Sequence, residues 1–211
     1  MPLFGGPWQV TLGPLQTAAG EVRLRPVRAR DAATWSRLRL KNRELLEPWE
    51  PTGDVDWERR HAPSAWPGMC SSMRSQARSG TLLPMVVLVG GDYAGQLTVG
   101  NIMRGQLMNA WVGYWVDSSF TGHGVASTAV ALAADHAYRK LGLHRLEATV
   151  RPENVASRAV LARVGFREEG LLQRYLHVDG AWRDHLLVGM TTEEVSDSVV
   201  ARVVRSGRAW Y

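Results

Sequence analysis

The feature that most constrains this 211-residue chain is the segment Tyr114–Ser127, YWVDSSFTGHGVAS, where a strand pattern gives way to a helix through a glycine turn. Upstream, NAWVGYWV at 109–116 reads as a strand. Downstream, Val125–Leu141 reads as a helix, and Gly142 stands at its C-cap position. Strand, Gly122-His123-Gly124, then a helix opening on Val125-Ala126-Ser127 is an anion-binding arrangement in physical terms. The first turn of a helix carries N–H groups without internal partners at the positive end of the dipole, and small residues let a phosphate approach the backbone. The same glycines also serve as an ordinary tight strand-to-helix turn.

Context narrows the anion. A Walker phosphate loop is excluded because no Gly-Lys-Ser/Thr follows. A dinucleotide fingerprint finds Ser127 in place of its third glycine and Glu147 at about the right distance downstream. It fails on topology: the motif lies past the chain midpoint, whereas a dinucleotide fold places it at the first strand, and Glu147 falls inside a strand. An acyl-CoA remains, its pyrophosphate on the helix start and its pantetheine along the strand leading in.

The remaining pattern organises around this turn. Residues 1–20 read as an arm, rich in Gly, Pro and small residues without periodicity. VRLRPVR at 22–28 alternates as a half-buried strand, with Pro26 marking an edge or an early end, and Asp31 reads as a helix N-cap. Trp35, Leu38, Leu45 and Leu46 fall near one face of the following helix, which Pro48 stops. An irregular stretch to Ser64 precedes a helix over Trp66–Arg78, broken by Ser79-Gly80. Then come strand-like runs at 84–90, 93–103 and 109–116, the first two joined by a Gly90-Gly91-Asp92 hairpin turn. After the long helix follow strand HRLEATV, a helix over Ala156–Val164 capped by Gly165, a strand from Phe166, the turn Val178-Asp179-Gly180 and strand DHLLVGM. The order β-α-α-β-β-β-α-β-α-β-β predicts one α/β (α+β) domain over 21–192. Beyond it, 193–211 reads as a helical tail whose Val195, Val199, Val203 and Val204 make one apolar face to pack on the domain or on a second subunit.

Composition excludes several function classes. The net charge of +5 comes from 25 basic residues, all arginine except Lys41 and Lys140, scattered without a block, so direct nucleic-acid binding is not expected. No stretch approaches the ~20 apolar residues of a membrane span, and the N-terminus lacks signal-peptide character. Cys70 is the lone cysteine and cannot form an internal disulfide, which suits a reducing, cytoplasmic setting. His136, His144 and His185 have no metal-ligand spacing, so no metal is expected.

Tyr114–Ser127, followed by RPENVASRAVLARVGF at 151–166, resembles the acyl-CoA-binding core of the GNAT acetyltransferases. KNRELLEPWEP at 41–51, GNIMRG at 100–105 and YLHVDGAWRDHLLVGMTT at 175–192 narrow the likeness to the ribosomal-protein-alanine N-acetyltransferases of the RimJ type. The resemblance implies a single GNAT-like domain with a mixed, mostly antiparallel sheet flanked by helices on both faces. It implies acetyl-CoA as cofactor, held by the backbone of Tyr114, Trp115 and Val116 and by Gly122, His123, Gly124, Val125, Ala126 and Ser127. Asn154 is expected on the cofactor and Ser157 near its sulfur. Thr121 departs from the family, which usually carries Gln or Arg there.

The implied reaction is direct attack of an amine on the thioester, which needs a neutral amine, stabilisation of the oxyanion and a proton for the departing thiolate. A strand N–H near Trp115 or Val116 suits the oxyanion. Ser157 is the candidate proton source, with helix capping as its alternative role. Glu50 is the preferred base, Asp184 the second and Glu147 the third; Asn101, Arg104 and Tyr175 are candidate acceptor contacts. The acceptor implied is the N-terminal amine of a ribosomal protein, a small amine being the alternative and a non-catalytic acyl-CoA-binding subunit the reading from another class. The protein is expected to be a monomer or homodimer.

Overall fold

The computed structural model describes residues 8–211. In chain order the elements are β1 (Leu12–Thr17), β2 (Gly20–Pro26), α1 (Ala32–Lys41), α2 (Arg43–Leu46), α3 (Trp57–Arg60), α4 (Trp66–Arg78), β3 (Leu82–Val89), β4 (Asp92–Gly100) and β5 (Asn109–Val116). They continue with α5 (Val125–Arg139), β6 (Arg145–Val150), α6 (Val155–Val164), β7 (Arg167–Val178), β8 (Ala181–Thr191) and α7 (Val199–Arg205). The strands form one eight-stranded sheet in the order β1-β2-β3-β4-β5-β6-β8-β7. All neighbours run antiparallel except β5 and β6, whose parallel pairing requires a crossover, here α5.

The local causes are legible. LLPMVVLV forms β3, buried on both faces because strands flank it and helices cover it, hence an unbroken apolar run in place of alternation. Gly90 and Gly91 both take positive φ, 59° and 93°, the backbone a two-residue hairpin turn demands. α5 is buried nearly all round, and Ala129, Ala133, Ala134 and Ala137 let it lie close to the sheet on one side and to α6 and α7 on the other. On the opposite face Trp35, Trp66, Cys70, Val27 and Val86 form a second core, with the two indole rings 5.0 Å apart. Helices on both faces of a mixed, mostly antiparallel sheet match the architecture that the family resemblance implies.

Four local readings are corrected. Residues 12–17, taken as part of an irregular arm, pair with β2 as an outer strand of the sheet. Asp31 stands at the N-cap position of α1 as read, but its side chain makes no capping bond; it is buried, accepts the Arg28 N–H at 2.8 Å and binds the Arg25 guanidinium at 2.7 Å, closing the turn before the helix. The helix meant to run to Pro48 breaks at Asn42, whose side chain donates to the Leu38 carbonyl at 2.8 Å and to Asp117 at 3.0 Å and accepts the Ser118 N–H at 2.9 Å. Leu45, beyond that break, is exposed.

The pairing of β5 with β6 positions the site. It holds only for Asn109↔Arg145, Ala110↔Leu146 and Trp111↔Glu147, although β5 continues to Val116 and β6 to Val150. The two strands therefore diverge, and the second half of β5 keeps its ladder with β4 alone. The divergence opens a wedge at the C-terminal end of both strands, against the start of α5.

Candidate active site

A cleft of about 500 Å3 fills this wedge. One wall is Tyr114–Val116 of β5, the first turn of α5 and the face of α6 carrying Ala156, Ser157, Ala159 and Val160; the other is Leu45, Leu46, Trp49 and Glu50 after α1. Such a volume suits a small-molecule site.

The glycine turn is shaped by two independent demands. Gly124, the N-cap of α5, has φ +83°, a backbone that L side chains rarely adopt. A Cβ there would also sit 2.4 Å from the carbonyl oxygen of Arg208. Gly122, Gly124, Val125, Ala126 and Ser127 all line the cleft, whereas His123 is exposed and outside the lining. Ser127 lines the cleft, and its buried hydroxyl has no hydrogen-bond partner in the chain, an orphan donor close to the free N–H groups of the helix start. Thr121 spends its hydroxyl on the Ser118 carbonyl at 2.9 Å. The preceding corner is pinned by Asp117, which accepts from Lys41 at 2.8 Å; burial opposes its charge, but hydrogen bonds from Lys41, Asn42 and the Ser119 N–H hold its carboxyl below the ordinary value.

Across the wedge, Asn154 caps α6, its Oδ1 accepting the Ser157 N–H at 3.0 Å. Ser157 is thus not the cap, and its hydroxyl lies 3.0 Å from the Tyr114 phenol, which also donates to the Ser157 carbonyl at 3.3 Å. Burial pushes the Tyr114 phenol well above its usual range, with the hydrogen bond to Ser157 opposing that shift, so the hydroxyl pair is neutral at physiological pH. Tyr114, 43 residues before Ser157, is brought to the Asn154–Ser157 start of α6 where β5 meets it.

The opposite wall is electrostatic. Both Glu50 oxygens accept from arginines, one from Arg39 and the other from Arg60 at 2.5 Å. Arg39 is buried between the Trp57 and Trp115 rings, 4.9 and 5.1 Å from their centroids, and its Nη2 meets His61 Nε2 at 3.0 Å. Since a guanidinium only donates and the Trp57 carbonyl, 2.9 Å from Nδ1, only accepts, His61 carries its proton on Nδ1 and is neutral. Burial, then the Arg39 charge, lowers the His61 pKa to about 4.

Of the other carboxylates, Asp184 is exposed on β8 and accepts the Arg174 N–H at 2.7 Å, securing an irregularity of β7 where Arg174 has φ +49°. Glu147 shares one face of β6 with Arg145 and Thr149, opposite the buried Leu146, Ala148 and Val150, and pairs with Arg145 at 3.1 Å. Asp184, Glu147, Asn101, Arg104 and Tyr175 all lie outside the cleft lining, and Arg104 donates to the Leu141 carbonyl at 2.9 Å. Sequence reading missed Arg39, His61 and Arg208 as site residues. Arg39 lies on α1, where the apolar pattern gives a charged residue no role, His61 in the stretch without periodicity, and Arg208 in the C-terminal tail.

The model of the Acetyltransferase (GNAT) domain matches residues 21–167, more than half of the chain. The chain belongs to the GNAT acetyltransferases. Within that family it is 31% identical over 173 residues to the [ribosomal protein uS5]-alanine N-acetyltransferase of Escherichia coli (strain K12), covering 81% of this chain and 88% of that protein. The structure of Mycobacterium smegmatis RimJ in complex with CoA-disulfide superposes with TM-score 0.96 at 57% identity, covering 97% of this chain and 98% of that one. A ribosomal-protein-S5-alanine acetyltransferase from Vibrio fischeri aligns with TM-score 0.75 at 29% identity, over 82% of this chain and 94% of that one. The GNAT cleft in this chain suits an acyl-CoA on its own geometry: an unpaired half-strand for an extended amide-bearing arm, orphan donors at the α5 start for a pyrophosphate, and a hydroxyl pair where the two meet. Among the described residues no helix is long and apolar enough to cross a membrane.

Proposed function

We propose that this enzyme is an acetyl-CoA-dependent N-acetyltransferase whose acceptor is the N-terminal α-amine of a ribosomal protein beginning with alanine. The single observation that carries the reaction is the splay of β5 from β6, which opens onto both the α5 glycine turn and the Tyr114–Ser157 pair. The acceptor is supported by the alanine N-acetyltransferase relative in Escherichia coli and by the 57% identity to the mycobacterial protein.

When bound, acetyl-CoA supplies an acetyl group activated as a thioester. The chain's own residues do the rest. Gly122–Ser127 offer amides and one hydroxyl to phosphate oxygens, and the unpaired edge of Tyr114–Val116 holds an amide-bearing arm in strand register. A backbone N–H of this same edge, at Trp115 or Val116, takes negative charge developing on the acyl oxygen. Ser157 Oγ–H would give its proton to the departing sulfur, held in place by its hydrogen bond with the Tyr114 phenol, and would recover one through the water that carries off the amine proton. An α-amine has a pKa of about 7.7–8.0, so a useful neutral fraction exists near neutral pH without a strong base. Glu50, with both oxygens accepting from arginines, acts as a positioning residue that holds the acceptor wall, and the amine proton leaves through water. Asp184 plays no part in this reading. The protein acts in the cytoplasm, as a monomer or homodimer.

The test is incubation with acetyl-CoA and a panel of alanine-starting peptides and small amines, followed by free thiol and product mass. Acetylation of peptide α-amines is expected; thiol release with small amines alone would make the chain a small-molecule acetyltransferase. CoA binding without any transfer would leave a binding subunit. Ser157→Ala is expected to lower kcat roughly tenfold or more while CoA binding stays unchanged. An unchanged kcat would pass the proton role to Tyr114.

A further inference from the structure

The segment after α7 turns back across the glycine turn and is fixed on both sides of that crossing. Asp135 of α5 accepts the N–H groups of Val199 and Val200 at 2.8 and 3.1 Å, which sets the helix. Ala209 is buried, and Trp210 exchanges backbone hydrogen bonds with Gln16 of β1 at 2.8 and 2.9 Å. Between these anchors lies Arg208. Its carbonyl occupies the space a Cβ on Gly124 would need, 2.4 Å away, and its guanidinium reaches the Gly122 carbonyl at 3.5 Å. That long contact engages one of five N–H donors. Arg208 lines the cleft, and among the described residues no carboxylate forms an ion pair with it.

The turn itself brings no positive side chain to this place. Thr121 donates to Ser118, Gly122 and Gly124 have no side chains, and His123 lies outside the lining. The cations of the cleft lining are Arg163, on the last turn of α6, and Arg208. The buried, partnerless Ser127 hydroxyl marks the same corner as a place prepared for an anion. Without Arg208 an anion there would meet amides and a helix dipole but no formal charge beside the turn.

We propose that Arg208 is a ligand of the cofactor's pyrophosphate, delivered by the C-terminal segment as a strap over the α5 start. This rests on the reading that the cleft holds acyl-CoA. The strap then couples cofactor affinity to the packing of α7 and to the Gln16–Trp210 pairing, so the tail belongs to the active site.

Titration calorimetry of CoA and of 3′-dephospho-CoA against the full chain, Arg208→Ala and Arg208→Lys tests this, with unfolding temperatures measured without ligand. Arg208→Ala is expected to weaken both ligands roughly fivefold to tenfold, a range set by a charged hydrogen bond at an exposed site. Arg208→Lys is expected to recover part of that loss. The unfolding temperature should not move, because the side chain is exposed, and binding to Arg208→Ala should depend less on KCl than binding to the parent. Equal affinity of parent and Arg208→Ala would overturn the proposal, as would a loss for CoA that vanishes with 3′-dephospho-CoA, which would move Arg208 to the 3′-phosphate. A fall in unfolding temperature with no change in affinity would make the strap purely structural. Failure of the parent itself to bind CoA would refute the acyl-CoA reading instead.

Discussion

The cofactor wall of the cleft is made of backbone and small side chains, Gly122 to Ser127 and the unpaired edge of β5, whereas the facing wall presents Glu50, backed behind the lining by a packed network of Arg39, Arg60, His61 and Trp57. The first wall binds through amides that are free because of where a helix begins, so its chemistry is fixed by short-range geometry. The second holds its shape through desolvated charge, so its integrity depends on several partners from separate segments being present together. Substitutions in the first should therefore act on ligand affinity with little cost to the fold, and substitutions in the second should act on the fold first.

The largest effect expected is at Arg39. Arg39→Met keeps most of the volume between the two indoles but leaves Glu50 with Arg60 alone and His61 Nε2 without a donor. A loss of about 3 kcal/mol in unfolding free energy is expected by denaturant titration, the lower end for breaking a buried pair because Glu50 is partly exposed. A loss under about 1 kcal/mol would show that the facing wall is not held by charge.

The next largest comes from His61. Its folded-state pKa is lowered to about 4, while an unfolded chain takes up a proton near the ordinary 6.5. Protonation thus favours unfolding. The contribution is intact above about pH 6.5 and is lost as pH falls towards 4, amounting to roughly 2–3 kcal/mol over that window. His61→Asn removes the titrating group, so the parent should lose that much more stability than the variant between the two pH values. Parallel stability profiles would show that the ring is not held neutral.

The smallest effect on the fold and the sharpest on binding is expected at Gly124. An alanine there would need φ near +83°, a strain of about 1–2 kcal/mol, and its Cβ would push the Arg208 backbone carbonyl against the Ala209 and Trp210 anchors, moving the strap off the turn. CoA affinity should fall roughly tenfold or more, with an unfolding temperature lowered by only a few degrees. A collapse of the fold with affinity unchanged in the surviving protein would reverse the contrast between the walls.

Reading the chain from sequence succeeded where one short segment carries its own cause. Gly122–Ser127 announces a strand-to-helix turn, Gly90-Gly91 a hairpin, Gly142 and Gly165 two helix ends, and Trp66–Arg78 a helix, each decided by contacts within a few residues. It failed where a side chain's partner lies far away. Asp31 has the composition of a cap yet serves Arg25, and Asn42 breaks a helix because Asp117 and Ser118 hold its side chain. Glu50 sits in the cleft as expected, but its two arginines could not be foreseen, since neither spacing nor periodicity links Arg39, Glu50 and Arg60.

The sequence by itself determined the anion-binding glycine turn and most of the succession of elements, because helix starts, turns and strand alternation are local properties of the backbone, while its resemblance to a family supplied the acyl-CoA character of the site. Tertiary structure alone decided that β5 and β6 part after three pairs, that Ser157 meets Tyr114, and that Arg208 lies over the turn. Those are contacts between segments 36 to 86 residues apart, set by packing around α5 rather than by any pattern along the chain.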